Sequence, residues 1–525
     1  MNIFKVIAVF VLFLSMAVSI FADEKNFEII QLDSGPVTGY IENGVHKFSG
    51  IPYGAPPAGE LRWKPPQPPV PWTEVKNCTV PGPSCPQPDR KDTDNFSEDC
   101  LYLNVWTAAK NRDERLPVMV WIHGGGFNFG SGSLPEYDGT NLAGKGVVVV
   151  TINYRLGPFG FFVHPLLAEE STHHTSGNYG LLDQIAALKW VRKNIALFGG
   201  DPDNVTIFGQ SAGSRSVTLL MISPLSEGLF HRAIAESGGP VIGSEYLSPN
   251  FNGNMENVSR MGEKLAVKFG CDKGENILGA MRAKSAEEIL EASDCKTDIF
   301  DDEKLFFAPV FDGWVLPKNP VTAYSEGLQH DVPIIVGSTL NEGNIYLGDK
   351  TDLSVEKYKS FLKSRFGDNY TEAFNIFPVS GAEDVAPVLD KLLTVAANAQ
   401  PARFVAQSME YKKSRAYLYQ FTRLPGTSMA RKLGVHHGVE LAYIFGNMNK
   451  SDGYDDTDLW LSGKMMDYWV NFARTGNPNG DGLTDWPAYE SNSDINMEFS
   501  DTIHTCKELF RKECDFISRL SKEHF

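Results

Sequence analysis

Five residues, Gly209-Gln210-Ser211-Ala212-Gly213, stand between a β-branched run, NVTIFG (204–209), and a stretch with helical spacing, AGSRSVTLLMIS (212–223). A serine held between a strand and a helix must sit on a tight, strained turn if its hydroxyl is to stand clear of both. The glycines on either side are the residues that keep such a turn from colliding with its neighbours. This strand–elbow–helix unit, G-x-S-x-G in pattern, belongs to an open sheet flanked by helices, and the rest of the chain has to supply that sheet.

It does. LPVMVWI (116–122) and GVVVVTINY (146–154) are short apolar runs rich in β-branched residues, as expected of strands buried on both faces. LLDQIAALKWVRKNIALF (181–198) has helical spacing and is stopped by GGDP. HRAIAES (231–237), DVPIIVGST (331–339) and SRAYLYQFT (414–422) are further strand candidates. Strands alternating with helices predict an α/β fold with a mostly parallel sheet and helices on both faces. The polar helical stretches at about 254–298 and 355–403 read as insertions over that framework. No linker or repeat divides the chain, so residues 23–525 are expected to form one domain.

Residues 1–22 stand apart. A basic start, the apolar run 6–20 and Ala22 before Asp23 have the pattern of a secretory signal. The run is shorter than the roughly 20 residues a membrane span needs, and the charged, amphipathic C-terminus is neither a lipid-anchor signal nor a retrieval signal. The expected localisation is therefore secreted, with no stable membrane anchor. Export permits disulfides among Cys78, Cys85, Cys100, Cys271, Cys295, Cys506 and Cys514, an odd set of 7. It also permits glycans at the sequons starting at Asn77, Asn95, Asn204, Asn257, Asn369 and Asn449. A formal charge of −17 makes nucleic acid an unfavourable partner. No pair of cysteines has C-x-x-C spacing, and there is no P-loop or leading dinucleotide motif, so neither metal nor organic cofactor is expected.

The chemistry the chain suggests is acyl transfer. Ser211 is the candidate nucleophile. His123-Gly124-Gly125-Gly126-Phe127 follows the strand 116–122, and three consecutive glycines make sense where backbone N–H groups must point at a developing oxyanion. The expected donors are Gly125, Gly126 and Ala212. In this fold the acid and then the base follow the serine in chain order. Among His330, His436, His437, His504 and His524, the pair in GVHHGVELAYIFG is loop-borne and followed by glycine. Glu342 lies just past the strand 331–339, where catalytic loops belong. Asp312 and Glu440 are its rivals.

Taken together, the residues resemble the type-B carboxylesterase/cholinesterase family of α/β-hydrolases. The resemblance rests on GIPYGAPPAGELRWKPP (50–66), SEDCLYLNVW (97–106), the HGGGF loop, GNYGLLDQ (177–184), FGGDPDNVTIFGQSAG (198–213), LNEGN (340–344), GVHHGVE (434–440) and FARTGNPN (472–479). It implies an α/β-hydrolase fold, a small-molecule ester substrate, and a triad of Ser211, Glu342 and His437, the histidine before Gly438. It also implies that Ser237, in AESGG, supports the His–acid pair, and that Cys85 and Cys100 form the first disulfide.

Several positions depart from the family. Many relatives carry Glu beside the nucleophile where this chain has Gln210, which removes a negative charge from the floor of the site. The stretch between Cys85 and Cys100 has no Trp, the residue cholinesterases use there to hold choline. Both departures argue against choline esters. The family's second disulfide ends at a Cys-Leu-Arg triplet, which here is Ala280-Met281-Arg282, so Cys271 pairs with Cys295 or stays free. Leu305 stands where an acyl-pocket aromatic is usual. The resemblance leaves open a lipase, a feruloyl- or gallate-type esterase, a cholinesterase, and a non-catalytic adhesion ectodomain of the same fold. The sequence assigns no oligomeric state.

Overall fold

A computed structural model describes residues 29–88, 95–240, 255–293, 307–347 and 353–523. The signal-like segment, Cys295, Leu305 and His524 lie outside the described residues. The frame is an 11-stranded sheet. Its strands in chain order are β1 (Tyr40–Glu42), β2 (Val45–Pro52), β3 (Tyr102–Thr107), β4 (Leu116–Ile122), β5 (Val148–Ile152), β6 (Gly200–Gln210), β7 (Arg232–Glu236), β8 (Ile334–Thr339), β9 (Ala416–Phe421), β10 (Ile495–Phe499) and β11 (Ile503–Lys507). Across the sheet they run β11-β10-β9-β8-β7-β6-β4-β5-β3-β2-β1. From β5 through β10 every neighbouring pair is parallel. Antiparallel strands finish both edges.

The apolar runs are continuous because the parallel strands are covered on both faces. Along β4, Val118, Val120 and Ile122 point into one core while Met119 and Trp121 point into the other. Val149 likewise faces away from Val148 and Val150 on β5. Helices α1 (Tyr179–Asn194) and α2 (Ala212–Leu220) cover the first face. The second face lies under α3 (Asp456–Thr475), which packs Trp469 with Trp486 and Phe499. Trp121 is fully buried against Phe208 and Phe445. Burying a side chain of this size contributes about 1.5–3 kcal/mol. The helical stretch expected at 355–403 forms its own apolar cluster with the C-terminal helix.

Two sequence signatures turn out to be one joint. Arg62 of GELRW makes a two-pronged pair with Glu98 of SEDC, Nε to Oε2 at 2.7 Å and Nη2 to Oε1 at 2.5 Å. The Cys85–Cys100 disulfide is present, spanning 15 residues with a Cα–Cα distance of 5.0 Å. Among the described residues, Cys78, Cys271, Cys506 and Cys514 have no disulfide partner.

Candidate active site

Because β4, β6, β7 and β8 are parallel, the loops at their C-terminal ends emerge on one edge of the sheet. Each loop carries one of the expected residues. β6 ends at Gln210 and α2 begins at Ala212, leaving Ser211 as the pivot with φ 59° and ψ −121°. This backbone is strained for a residue with a side chain, and the Ser211 N–H holds it by donating to the Glu236 carbonyl at 2.9 Å. The flanking glycines are required by contact: a Cβ at Gly209 would lie 2.6 Å from the Ile122 carbonyl oxygen, and one at Gly213 only 1.9 Å from it.

Glu342, fully buried after β8, accepts the Thr339 N–H on Oε1 at 2.6 Å and meets His437 Nδ1 with Oε2 at 2.5 Å. The loops bearing these two residues are tied together. The Asn341 N–H donates to the Val435 carbonyl, and the Val435 N–H donates to Asn341 Oδ1, both at 3.0 Å. With Nδ1–H committed to Glu342, His437 Nε2 is the free lone pair. In this structure Ser211 Oγ does not reach it. The Gln210 side-chain amide does, donating from Nε2 at 3.0 Å. Gln210 is thus in direct contact with the base, a contact that no motif discloses.

The glycine loop follows β4. Gly125 has φ 105° and Gly126 φ 60°, conformations that favour glycine. The N–H groups of Gly125, Gly126 and Ala212 donate no hydrogen bond within the described residues. His123 anchors the loop from below: its Nδ1–H donates to the Gly124 carbonyl at 2.8 Å, and its ring stacks on Tyr154 at 4.4 Å. Burial pushes its pKa down to about 4. Gln87, just past Cys85, clamps the far end by exchanging two 2.9 Å hydrogen bonds with Gly130. The disulfide loop therefore buttresses the glycine loop.

The resemblance ties Ser237 to the His–acid pair, but its hydroxyl donates instead to Glu440 Oε1 at 2.7 Å. The reason is register: β7 ends one residue earlier, and Ser237, at φ 53°, turns toward the helix after the histidine loop. Glu440 is therefore not the carboxylate on His437. Its pKa is raised, first by burial and then by the charge of Glu342. Glu236, which accepts the Trp469 indole N–H at 2.8 Å, is likewise held well above the carboxylate range by burial.

The other candidates fall away from the site. His436 is buried and turns Nδ1 to the His437 carbonyl at 3.0 Å. His330 faces the Ser223 carbonyl at 3.0 Å. Asp312 closes a turn by accepting the Trp314 and Leu316 N–H groups. Among the described residues, the group spaced to hold a metal is Glu498, His504 and Cys506, on the β10–β11 hairpin at the sheet edge. The GNYGLLDQ signature has a structural reading that spacing did not reveal. Asp183 accepts from Arg155 Nε at 2.8 Å and Nη2 at 2.7 Å, a fully buried pair that pins the segment after β5.

Known proteins place this geometry. The model of the Carboxylesterase family matches residues 26–517. The chain belongs to the carboxylesterase family. It is 37% identical over 514 residues to the para-nitrobenzyl esterase of Bacillus subtilis (strain 168), covering 94% of this chain and 99% of that one. It is 36% identical over 520 residues to liver carboxylesterase 1 of Oryctolagus cuniculus, covering 90% and 88%. A solved thermophilic PNB esterase superposes with a TM-score of 0.81 at 35% identity, covering 94% of this chain and all of that one. The α/β-hydrolase fold and the class of carboxylic ester hydrolase follow. No helix among the described residues is long and apolar enough to cross a membrane.

Proposed function

We propose that this carboxylesterase is a secreted, single-domain serine esterase, read from 23 to 525 after a cleaved signal, working through an acyl-serine on Ser211. The observation that carries the reading is the short Glu342–His437 contact beside a serine held at positive φ. Ser211 attacks the ester carbonyl as His437 Nε2 takes its proton. Glu342 fixes the tautomer and steadies the imidazolium. The N–H groups of Gly125, Gly126 and Ala212 receive the oxyanion, each donor worth about 3 kcal/mol. The alcohol leaves with the proton from His437, and water, deprotonated by the same imidazole, hydrolyses the acyl-serine.

In this cycle Gln210 must give up Nε2 of His437 as substrate enters and Ser211 takes its place. Catalytic hydrogen bonds often tighten only in the substrate complex. The two missing negative or aromatic features of choline sites, at Gln210 and in the loop between Cys85 and Cys100, favour uncharged or anionic alcohol and acyl groups over cationic ones. The test is hydrolysis of p-nitrophenyl acetate, butyrate and octanoate by wild type and Ser211→Ala. Turnover by the wild type and its loss in the variant support the reading. A folded wild type inert on all three overturns the general-esterase reading in favour of a binding ectodomain or an esterase of narrow specificity.

A further inference from the structure

From 205 to 223, the strand–elbow–helix unit is buried at every residue except two, Ser211 and Arg215. These two half-buried residues lie four apart, Arg215 in the first turn of the helix that the serine caps. The Arg215 N–H donates to the Ser211 carbonyl at 2.9 Å, so the two residues are successive steps of one helical face. Side chains four apart share a face and lean toward the helix N-terminus. Arg215 therefore leans toward Ser211, one turn of about 5.4 Å away.

Among the described residues the guanidinium makes no hydrogen bond and no ion pair. Four buried arginines are paired with acids, Arg155 with Asp183, Arg403 with Asp494, Arg62 with Glu98 and Arg282 with Glu170, and half-buried Arg232 donates to the Asn204 side-chain oxygen. Burial lowers the Arg215 pKa from its ordinary value, and the acid set against it is the phenol of Tyr346, on the segment that follows Glu342. Arginine stays protonated regardless, so this is a partly desolvated cation with five donors and no counterion, a costly arrangement unless an anion visits.

No acid of the site compensates it. Glu342 is engaged by His437, and Ser237 and Trp469 hold Glu440 and Glu236 elsewhere. The residue before the nucleophile, which could have supplied a carboxylate, is Gln210.

We propose that Arg215 is a specificity-determining residue that receives a carboxylate of the substrate, and that the preferred substrates are esters carrying an anionic group a few carbons from the scissile carbonyl, such as half-esters of short dicarboxylic acids. The proposal rests on Ser211 being the nucleophile. A guanidinium pairs a carboxylate through two parallel N–H donors. At one helical turn from Ser211, it fits an acyl chain of succinyl or glutaryl length.

The test compares mono-p-nitrophenyl glutarate with p-nitrophenyl butyrate on wild type, Arg215→Gln and Arg215→Lys. The expected readout is the ratio of kcat/KM values. Wild type favours the glutarate ester at least tenfold, Arg215→Gln lowers that ratio by at least tenfold, and Arg215→Lys recovers part of it. In wild type the ratio falls as salt is added, because screening weakens the pair between the guanidinium and the anionic ester. A ratio that is unchanged in Arg215→Gln, or flat with salt, overturns the proposal and leaves Arg215 a packing residue.

Binding of free glutarate, measured by calorimetry, does not depend on turnover. Glutarate binding at least tenfold weaker in Arg215→Gln supports the anion site even if neither ester is hydrolysed, a result that would instead remove the esterase reading. Equal glutarate binding by wild type and variant overturns the anion site whatever the hydrolysis shows.

Discussion

Acid should undo the glycine loop through one side chain. His123 is 1% exposed, its Nδ1–H is committed to the Gly124 carbonyl, and its Nε2 has no partner. Protonation would place a bare N–H⁺ in a dry pocket against Tyr154. Burial accordingly lowers its pKa from 6.5 to about 4. A histidine depressed on folding stabilises the fold above its unfolded pKa, and that stability is lost as pH falls through the folded value. At about 1.4 kcal/mol for each pH unit between the two values, the loss between pH 6.5 and 4 is about 3 kcal/mol. His123→Asn keeps a donor near the Gly124 carbonyl and cannot titrate. Urea unfolding of both proteins from pH 8 to 4 should show the wild type losing about 3 kcal/mol more than the variant, with the difference opening below pH 6.5. Carboxylates common to both proteins cancel in this comparison. Parallel profiles for the two proteins would refute the reasoning.

Three further outcomes are expected. Glu342→Gln should lower kcat roughly 10^4-fold by losing the tautomer lock, whereas Glu440→Gln, which keeps a partner for Ser237, should cost less than tenfold; p-nitrophenyl butyrate kinetics separate the two acids. Gly213→Ala should destabilise the fold by at least about 3 kcal/mol in urea titration, because its Cβ meets a backbone oxygen at 1.9 Å that cannot yield. Replacing both Cys85 and Cys100 by serine should cost about 3 kcal/mol for a closed loop of 15 residues. It should also lower kcat, since the Gln87 clamp on Gly130 rides on that loop.

The parts of this fold that could be read from sequence are those where one physical demand dominates. Strands β4 to β9 are legible because burial on both faces leaves a mostly apolar run, β-branched in β4, β5 and β8. The elbow is legible because its glycines face the Ile122 carbonyl at contact distance. Edge strands β1 and β11 escape notice, being short and largely exposed, and β2 and β10, next in from the edges, do so because polar residues interrupt their apolar pattern. The acid and the base were placed by chain order and by family likeness, and composition had no part in it. The bond from Gln210 to His437 spans 227 positions and depends on one amide rotamer, which no local pattern encodes. Ser237 was expected at the His–acid pair and sits instead on Glu440, because a likeness carries residue identity but not which neighbour a hydroxyl faces. Arg215 is invisible to motif reading for a similar reason: its meaning lies in what fails to pair with it.

The claim on which the rest depends is the acyl-serine. Rapid mixing of wild type with p-nitrophenyl butyrate should give a p-nitrophenol burst matching the enzyme concentration, with the butyryl group mapped by peptide mass to Ser211. Ser211→Ala should give no burst and roughly 10^6-fold slower turnover. A full burst in the variant, or an acyl group on any other residue, would contradict the account.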